Sequence, residues 1–110
     1  MQTLTREQIA GLPTGDVYLT AIQWQQHDMA LVLMLILPDN RRAQLTATWA
    51  RGLRVNLEFD AETGGSPFTW HTRYSELPDG QWHVVMDFAN TGAVEFDCSA
   101  LLFEYLTDPA

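Results

Sequence analysis

Residues 81–98 read QWHVVMDFANTGAVEFDC. Apolar side chains recur at nearly every second position on both sides of Asn90-Thr91-Gly92, which predicts two strands that each bury one face. The segment Ala89-Asn90-Thr91-Gly92-Ala93 suits a type I turn followed by a glycine in the left-handed conformation. We therefore predict a β-hairpin in which Ala89 lies opposite Ala93.

The same turn pattern, with glycine as the fourth of five residues, occurs at Leu77-Pro78-Asp79-Gly80-Gln81 and at Trp49-Ala50-Arg51-Gly52-Leu53. The first of these adds a third strand, so residues 68–98 are predicted to form a three-stranded meander. Its predicted inner face consists of Trp70, Tyr74, Trp82, Val84, Met86, Phe88, Val94, Phe96 and Cys98. The second predicts a separate hairpin with Trp49 opposite Leu53 and Ala47 opposite Val55, which gives one apolar and one polar face.

Runs of β-branched and aromatic residues, separated by Gly, Pro, Asn or Asp, continue along the whole chain, as is typical of antiparallel all-β domains. Thr5 and Gln8 have the spacing of a capping box, which predicts one short N-terminal helix. The predicted fold is a single all-β domain over residues 1–110, an antiparallel meander of about seven or eight strands that forms a sandwich or curved roll. Strands are predicted near residues 17–24, 29–37, 43–49, 53–59, 68–76, 81–89, 93–98 and 101–105, with 101–106 left open between strand and helix.

The 110 residues include 14 acidic and six basic side chains, so the net charge is −8. This charge disfavours nucleic acid, which proteins bind by placing Lys and Arg at phosphates. The longest apolar run, residues 29–37, is much shorter than the roughly 20 residues that span a bilayer. The start MQTLTRE lacks the apolar core of a secretory signal, and the single Cys98 cannot form an intramolecular disulfide. We expect a cytoplasmic protein that binds neither nucleic acid nor membrane.

Motifs for catalysis and cofactor binding are missing from the sequence. It contains no Cys-x-x-Cys, no His-x-x-x-His and no glycine-rich loop of the nucleotide-binding kind. No Ser or Cys has a base and an orienting residue that the sequence would identify. We therefore predict no catalytic residue and no cofactor.

Negative charge is concentrated towards the C-terminus, because residues 74–110 contain seven carboxylates and neither Lys nor Arg. The predicted register places Asp87, Glu95 and Asp97 on the outer face of the meander, and we predict that they bind a partner. The predicted rows on this face are His71, Asp87, Glu95; Arg73, Val85, Asp97; and Ser75, His83, Ser99. The first row has the side-chain types of a divalent-metal site, which is the alternative interpretation of this face.

Two stretches, WARGLRVNLEF at 49–59 and GAVEFDC at 92–98, resemble small acidic all-β proteins of bacteria, among them immunity proteins that neutralise toxins. The resemblance implies stoichiometric binding of a protein. Our first hypothesis is a non-enzymatic protein-binding module whose acidic sheet face recognises a basic protein partner. The second is a small-molecule or divalent-metal-binding β-roll, with or without enzymatic activity. The third is a homodimer formed through an apolar edge strand at residues 29–37.

Overall fold

The computed structural model describes residues 4–12, 17–26, 29–57, 71–88 and 92–106. Within these residues, one helix, α1 (Arg6–Ala10), precedes eight strands. The strands are β1 (Tyr18–Gln25), β2 (Ala30–Ile36), β3 (Arg42–Thr48), β4 (Arg51–Leu57), β5 (His71–Glu76), β6 (Trp82–Asp87), β7 (Gly92–Cys98) and β8 (Ala100–Tyr105). The predicted helix and all eight predicted strands are confirmed. The described residues do not include 58–59, 68–70 and 89 of the predicted strands, nor Trp70 of the predicted inner face.

Helix α1 begins with the predicted capping box. The Thr5 hydroxyl accepts a hydrogen bond from the Gln8 amide at 3.2 Å, and the Gln8 side chain accepts one from the Thr5 amide at 2.9 Å. Ile9 is buried in the core, and Arg6 forms an ion pair with Glu76 of β5 at 2.6 Å. The short helix is thus attached both to the core and to a strand. No helix in the described part of the chain is long and apolar enough to cross a membrane.

The strands form two antiparallel sheets in the part of the chain that the structure describes. Sheet A has the order β1-β2-β3-β8, and sheet B has the order β4-β7-β6-β5. The apolar faces of the two sheets share one core, so the fold is an all-β sandwich.

Strand β2, which lies within the apolar run 29–37, is flanked by β1 and β3. The hypothesis that this run forms an edge strand is therefore wrong for the described sheet. Its uninterrupted apolar sequence has another cause, because both faces of the strand are buried: Leu31, Leu33 and Val32 are each no more than 2% exposed. A strand buried on both faces does not alternate between apolar and polar residues.

The predicted hairpin around Trp49-Ala50-Arg51-Gly52-Leu53 is also wrong. Strand β3 pairs with β2 and β8 in sheet A, whereas β4 pairs with β7 in sheet B. Ala47 therefore lies opposite Leu31 and Leu101, and not opposite Val55. Alternation reports which face of a strand is buried, but it does not identify the partner strand. Two strands on opposite sides of one core show the same alternation as two paired strands.

The chain passes between the sheets at a corner formed by residues 48–51 and Ser99. Pairing of β3 with β8 ends at Thr48 and Ala100, and pairing of β4 with β7 begins at Arg51 and Asp97. Between these pairs the Ser99 amide donates to the Thr48 carbonyl at 2.9 Å. The bend uses positive φ at Trp49 (51°) and Gly52 (66°), and the register shifts between Arg51 and Arg54 as at a β-bulge.

The core lies between the inner faces of the two sheets. Sheet A contributes alternate residues of β2, β3 and β8, and sheet B contributes alternate residues of β6 and β7. The fully buried large side chains include Leu31, Leu33, Leu45, Leu101, Val84, Met86, Val94 and Phe96. Tyr74 is partly buried and packs against this cluster. The inner face predicted for residues 74–98 is thus confirmed wherever the structure describes it.

The pairing of β6 with β7 differs from the prediction by two residues. The Phe88 amide donates to the Gly92 carbonyl at 2.9 Å, and Met86 lies opposite Val94. The predicted pair that closes this turn was Ala89 with Ala93. In the structure, Phe88 and Gly92 are bonded instead, and each precedes its predicted counterpart by one residue. Gly92 has a φ of 119°, and Gly80 in the preceding turn has a φ of 81°. A shift of two residues keeps every side chain on its face but changes its neighbours.

Gly52→Val should lower the free energy of unfolding by about 1–2 kcal/mol, because a β-branched residue is strained at the φ of +66° that the corner requires. A lower urea midpoint, with an unchanged dependence of the free energy of unfolding on urea concentration, measures this loss.

Gly11→Ala is the matched control, because Gly11 has a φ of −91° and an added Cβ would meet only ordinary contacts at 3.6 Å. Its free energy of unfolding, obtained from the urea midpoint, should stay within about 0.5 kcal/mol of the wild-type value. Equal midpoints for Gly52→Val and wild type would contradict the geometry of the corner.

Candidate functional site

The outer face of sheet B carries the candidate residues. The outward side chains that bear or can acquire charge are Arg51, Arg54, His71, Arg73, His83, Asp87, Glu95 and Asp97, and we refer to them as the charged face. They come from all four strands of the sheet, because alternate residues of each strand point away from the core.

The structure brings together only part of the predicted row of His71, Asp87 and Glu95. His71 lies opposite Asp87, as predicted, but Asp87 lies opposite Ala93 and not opposite Glu95. Glu95 is instead the neighbour of Val85 and Arg54. Among the described residues, no three His, Cys, Asp or Glu side chains are placed to hold a metal ion.

His83 occupies the centre of the charged face and contacts two carboxylates. Its Nδ1 lies 2.5 Å from Asp97 Oδ1, and its Nε2 lies 3.5 Å from Glu95 Oε2. The prediction placed Ser99 in this row, and the two-residue shift of β7 puts Asp97 there instead. The His83, Glu95 and Asp97 side chains are each about one-third exposed.

Strand β4 contributes positive charge beside β7. Arg54 Nη1 lies 3.4 Å from Glu95 Oε1, and Arg51 is the register partner of Asp97. The carboxylates predicted to form an acidic face therefore have arginines as their neighbours. This arrangement was missed because β4 was paired with the wrong strand. The sequence did carry a signal for it, since the opposite charges of two strands favour their pairing.

Cys98 lies on the buried side of β7, beneath the charged face. Burial, with a smaller contribution from the negative charge of Asp97, raises the pKa of the Cys98 thiol to about 12, against smaller opposing effects of Arg51 and of a backbone hydrogen bond from Ala100. The thiol is therefore protonated at neutral pH, and it is inert because the thiolate is the nucleophile. We assign Cys98 to the core and not to the site.

A cleft of about 530 Å³ opens beside the charged face, between α1 and β5. The residues that line it include Ile9, Tyr74 and Trp82, together with Arg73. His83, Glu95 and Asp97 do not line it, so the central contacts of the charged face belong to the open surface of the sheet. Such a surface suits contact with another macromolecule better than enclosure of a small substrate, since small-molecule sites are concave.

Comparisons of the chain with protein families, with curated proteins and with solved structures found no match.

The Cys98 thiol should react with a disulfide reagent such as Ellman's reagent far more slowly in the native protein than after unfolding in guanidinium chloride. Its raised pKa and burial both suppress attack by the thiolate. Absorbance of the released thiol at mildly alkaline pH measures the rate. Rapid native labelling would show that sheet B opens readily or that β7 has another register.

His83 and Asp97 should be energetically coupled. A double-mutant cycle with His83→Ala and Asp97→Ala should give about 0.5–1 kcal/mol of coupling in the free energy of unfolding at low salt. The coupling should shrink in high salt, because the side chains are partly exposed and their interaction is screened.

The control cycle combines His83→Ala with Glu104→Ala, since Glu104 is on β8 of the other sheet. These two substitutions should be additive within about 0.5 kcal/mol. Additivity in both cycles would contradict the contact between His83 and Asp97.

Proposed function

We propose that the protein is a non-enzymatic protein-binding module and that the charged face meets its partner. Asp87, Glu95 and Asp97 are the proposed partner-binding residues. The observation that supports this most directly is that Glu95 and Asp97 are held in place by His83 and Arg54, at the distances given above, while about one-third of each side chain stays exposed.

Fixed side chains lose less conformational freedom when a partner binds. Long, unrestrained side chains cost about 0.5–1.5 kcal/mol each when an interface immobilises them. On the charged face, the contacts with Arg54 and His83 restrict Glu95 and Asp97 before any partner arrives. The exposed carboxylate oxygens can accept further charge-assisted hydrogen bonds from a basic partner.

The arginines of β4 make the face selective for a pattern of charge. Arg51 and Arg54 lie along one side of the acidic residues of β7, so a uniformly basic surface would meet repulsion there. A partner would need basic groups over β6 and β7 and neutral or acidic groups over β4. Repulsive elements of this kind are a usual source of specificity.

The net charge of −8 favours a basic partner at longer range. It would speed the encounter with a positively charged protein and would slow encounters with acidic ones. An immunity-like role, in which one copy of the chain binds and neutralises one basic protein, belongs to this proposal and agrees with the small size of the chain.

The position of His83 argues for binding over acid–base catalysis. A catalytic imidazole needs one ring nitrogen directed at a substrate proton. Both ring nitrogens of His83 instead face carboxylates of the protein itself. The alternative of a divalent-metal site at His71, Asp87 and Glu95 would require Glu95 to move out of its contacts with Arg54 and His83.

The triple variant Asp87→Asn, Glu95→Gln, Asp97→Asn should remain folded but lose its partner. Immobilised wild type should retain a basic protein from a lysate of the source organism that the triple variant does not retain. With that protein purified, the association rate at low salt should fall about tenfold or more in the variant and lose most of its salt dependence.

The matched control Glu7→Gln, Asp39→Asn, Glu104→Gln removes three charges from other parts of the surface. It should retain the same protein, with an association rate closer to wild type. Equal retention by both triple variants would contradict the assignment of the charged face. A rise in the melting temperature of wild type with Ca²⁺, Mg²⁺ or Zn²⁺ that the first variant lacks would replace this proposal with the metal alternative.

A further inference from the structure

Strand β5 is at the edge of sheet B, since its described neighbour is β6 alone. The Leu77 amide donates to the Gln81 carbonyl at 2.7 Å, which identifies this pair as a hydrogen-bonded pair. Hydrogen-bonded pairs alternate with non-hydrogen-bonded pairs along an antiparallel ladder. The backbone groups of Ser75, Arg73 and His71 are therefore the ones that bond to β6. The backbone N–H and C=O groups of Glu76, Tyr74 and Thr72 then point away from β6, towards the open edge.

The accessible part of this edge is short. Thr72 is 2% exposed, so its backbone is covered. Tyr74 is partly exposed and Glu76 is exposed. The backbone groups of these two residues provide two donors and two acceptors, which is enough to pair with about three residues of an added strand.

The cleft between α1 and β5 runs along the same edge. It encloses about 530 Å³, and its walls include Ile9 and Ala10 of α1 and the side chain of Trp82. The ion pair of Arg6 with Glu76 and the bond from the Leu4 amide to the Leu101 carbonyl at 2.8 Å hold the helix in position. The cleft is therefore a built groove with an apolar wall and an accessible strand edge.

The groove has a positive side in an acidic protein. Arg73 and His71 line it and are exposed. Arg73 forms no ion pair with any described residue, in contrast to Arg6, Arg41 and Arg54. A carboxylate is the group that Arg73 would bind best.

We propose that this groove binds an extended peptide segment of a partner protein, which adds to the edge of β5 as a short strand. Backbone bonds to Tyr74 and Glu76 supply the main attraction, as in other cases of strand addition. Successive residues of a strand face opposite sides. The segment therefore alternates an acidic side chain beside Arg73 with an apolar side chain beside Ala10 and Tyr74, the apolar lining residues that are not fully buried.

Pairing of β5 with β5 of a second copy is the competing use of this edge. In an antiparallel pair centred at Tyr74, Arg73 of one copy would lie opposite Ser75 of the other and diagonally across from its Arg73. Like charges on neighbouring strands are unfavourable. Charge thus favours an acidic segment over a second copy of the chain.

The test uses three fluorescein-labelled hexapeptides with acetylated and amidated ends. The first is Glu-Val-Glu-Val-Glu-Val, and the second replaces each Glu with Lys. The third is the first peptide with N-methyl groups on alternate residues, which remove the backbone donors along one edge of the peptide. Fluorescence anisotropy up to about 1 mM protein should show saturable binding of the first peptide. The Lys peptide and the N-methyl peptide should bind about tenfold more weakly or not at all.

Arg73→Glu should weaken binding of the acidic peptide about fivefold or more, since it replaces attraction by repulsion. Arg42→Glu makes the same charge change on β3 and should leave binding close to wild type. Both variants should show the wild-type circular dichroism spectrum. Hydrogen exchange of the Tyr74 and Glu76 amides should slow when the acidic peptide binds, which reports strand addition independently of charge.

Three results would overturn the proposal: no saturable binding of the acidic peptide, equal binding by Arg73→Glu and wild type, or equal binding of the N-methyl peptide. A stable dimer in sedimentation that Arg73→Glu alters and that excludes the peptide would assign the edge to a second copy. The variant Asp87→Asn, Glu95→Gln, Asp97→Asn should still bind the acidic peptide. An experiment can therefore contradict the charged face as a partner-binding surface without contradicting the groove as a peptide site, and the reverse.

Discussion

The corner at residues 48–51 and Ser99 is the constraint on which the rest of the structure depends. There the pair formed by β3 and β8 in sheet A continues as the pair formed by β4 and β7 in sheet B. The Ser99 amide bonds the Thr48 carbonyl across the bend. Strands that change sheets through bulges close the corners of β-sandwiches. Because both strands turn together, the pairing in one sheet fixes the pairing in the other.

The corner also determines the electrostatics of the charged face. It carries β4 away from β3 and beside β7, which places Arg54 within 3.4 Å of Glu95 and makes Arg51 the register partner of Asp97. If β4 had folded back on β3, Arg54 would face Thr48, and the carboxylates of β7 would lie on an uncompensated edge. The face is a patterned surface because the backbone bend selects the neighbours of its charged residues.

The sequence predicted the strands, most of their buried faces and the helix, because each follows from local periodicity or capping. The apolar face predicted for residues 49–59 is the exception, since Trp49 is 56% and Val55 is 49% exposed. The sequence also predicted the register of β5 with β6, where Gly80 has the positive φ that the turn rule assumes. It did not predict the partner of β4 or the register of β6 with β7. Sheet exchange and a two-residue shift both leave the inward and outward positions unchanged. The site residues were therefore placed on the correct face, but Glu95 and Asp97 were given the wrong neighbours, and His83 was missed.

Strand β5 connects the charged face to the groove beside α1. Its odd-numbered residues, His71, Arg73 and Ser75, point outward from sheet B, whereas Tyr74 and Glu76, whose backbone groups are the proposed peptide contacts, line the groove. The two surfaces thus meet along one strand and differ in charge. Carboxylates lie on β6 and β7, and the rim carries Arg73, which forms no ion pair with any residue that the structure describes. A partner with a basic patch next to an extended acidic segment would contact both surfaces at once. The second contact would then form at a high effective concentration, so two weak sites would together bind tightly and would reject partners that match only one of them.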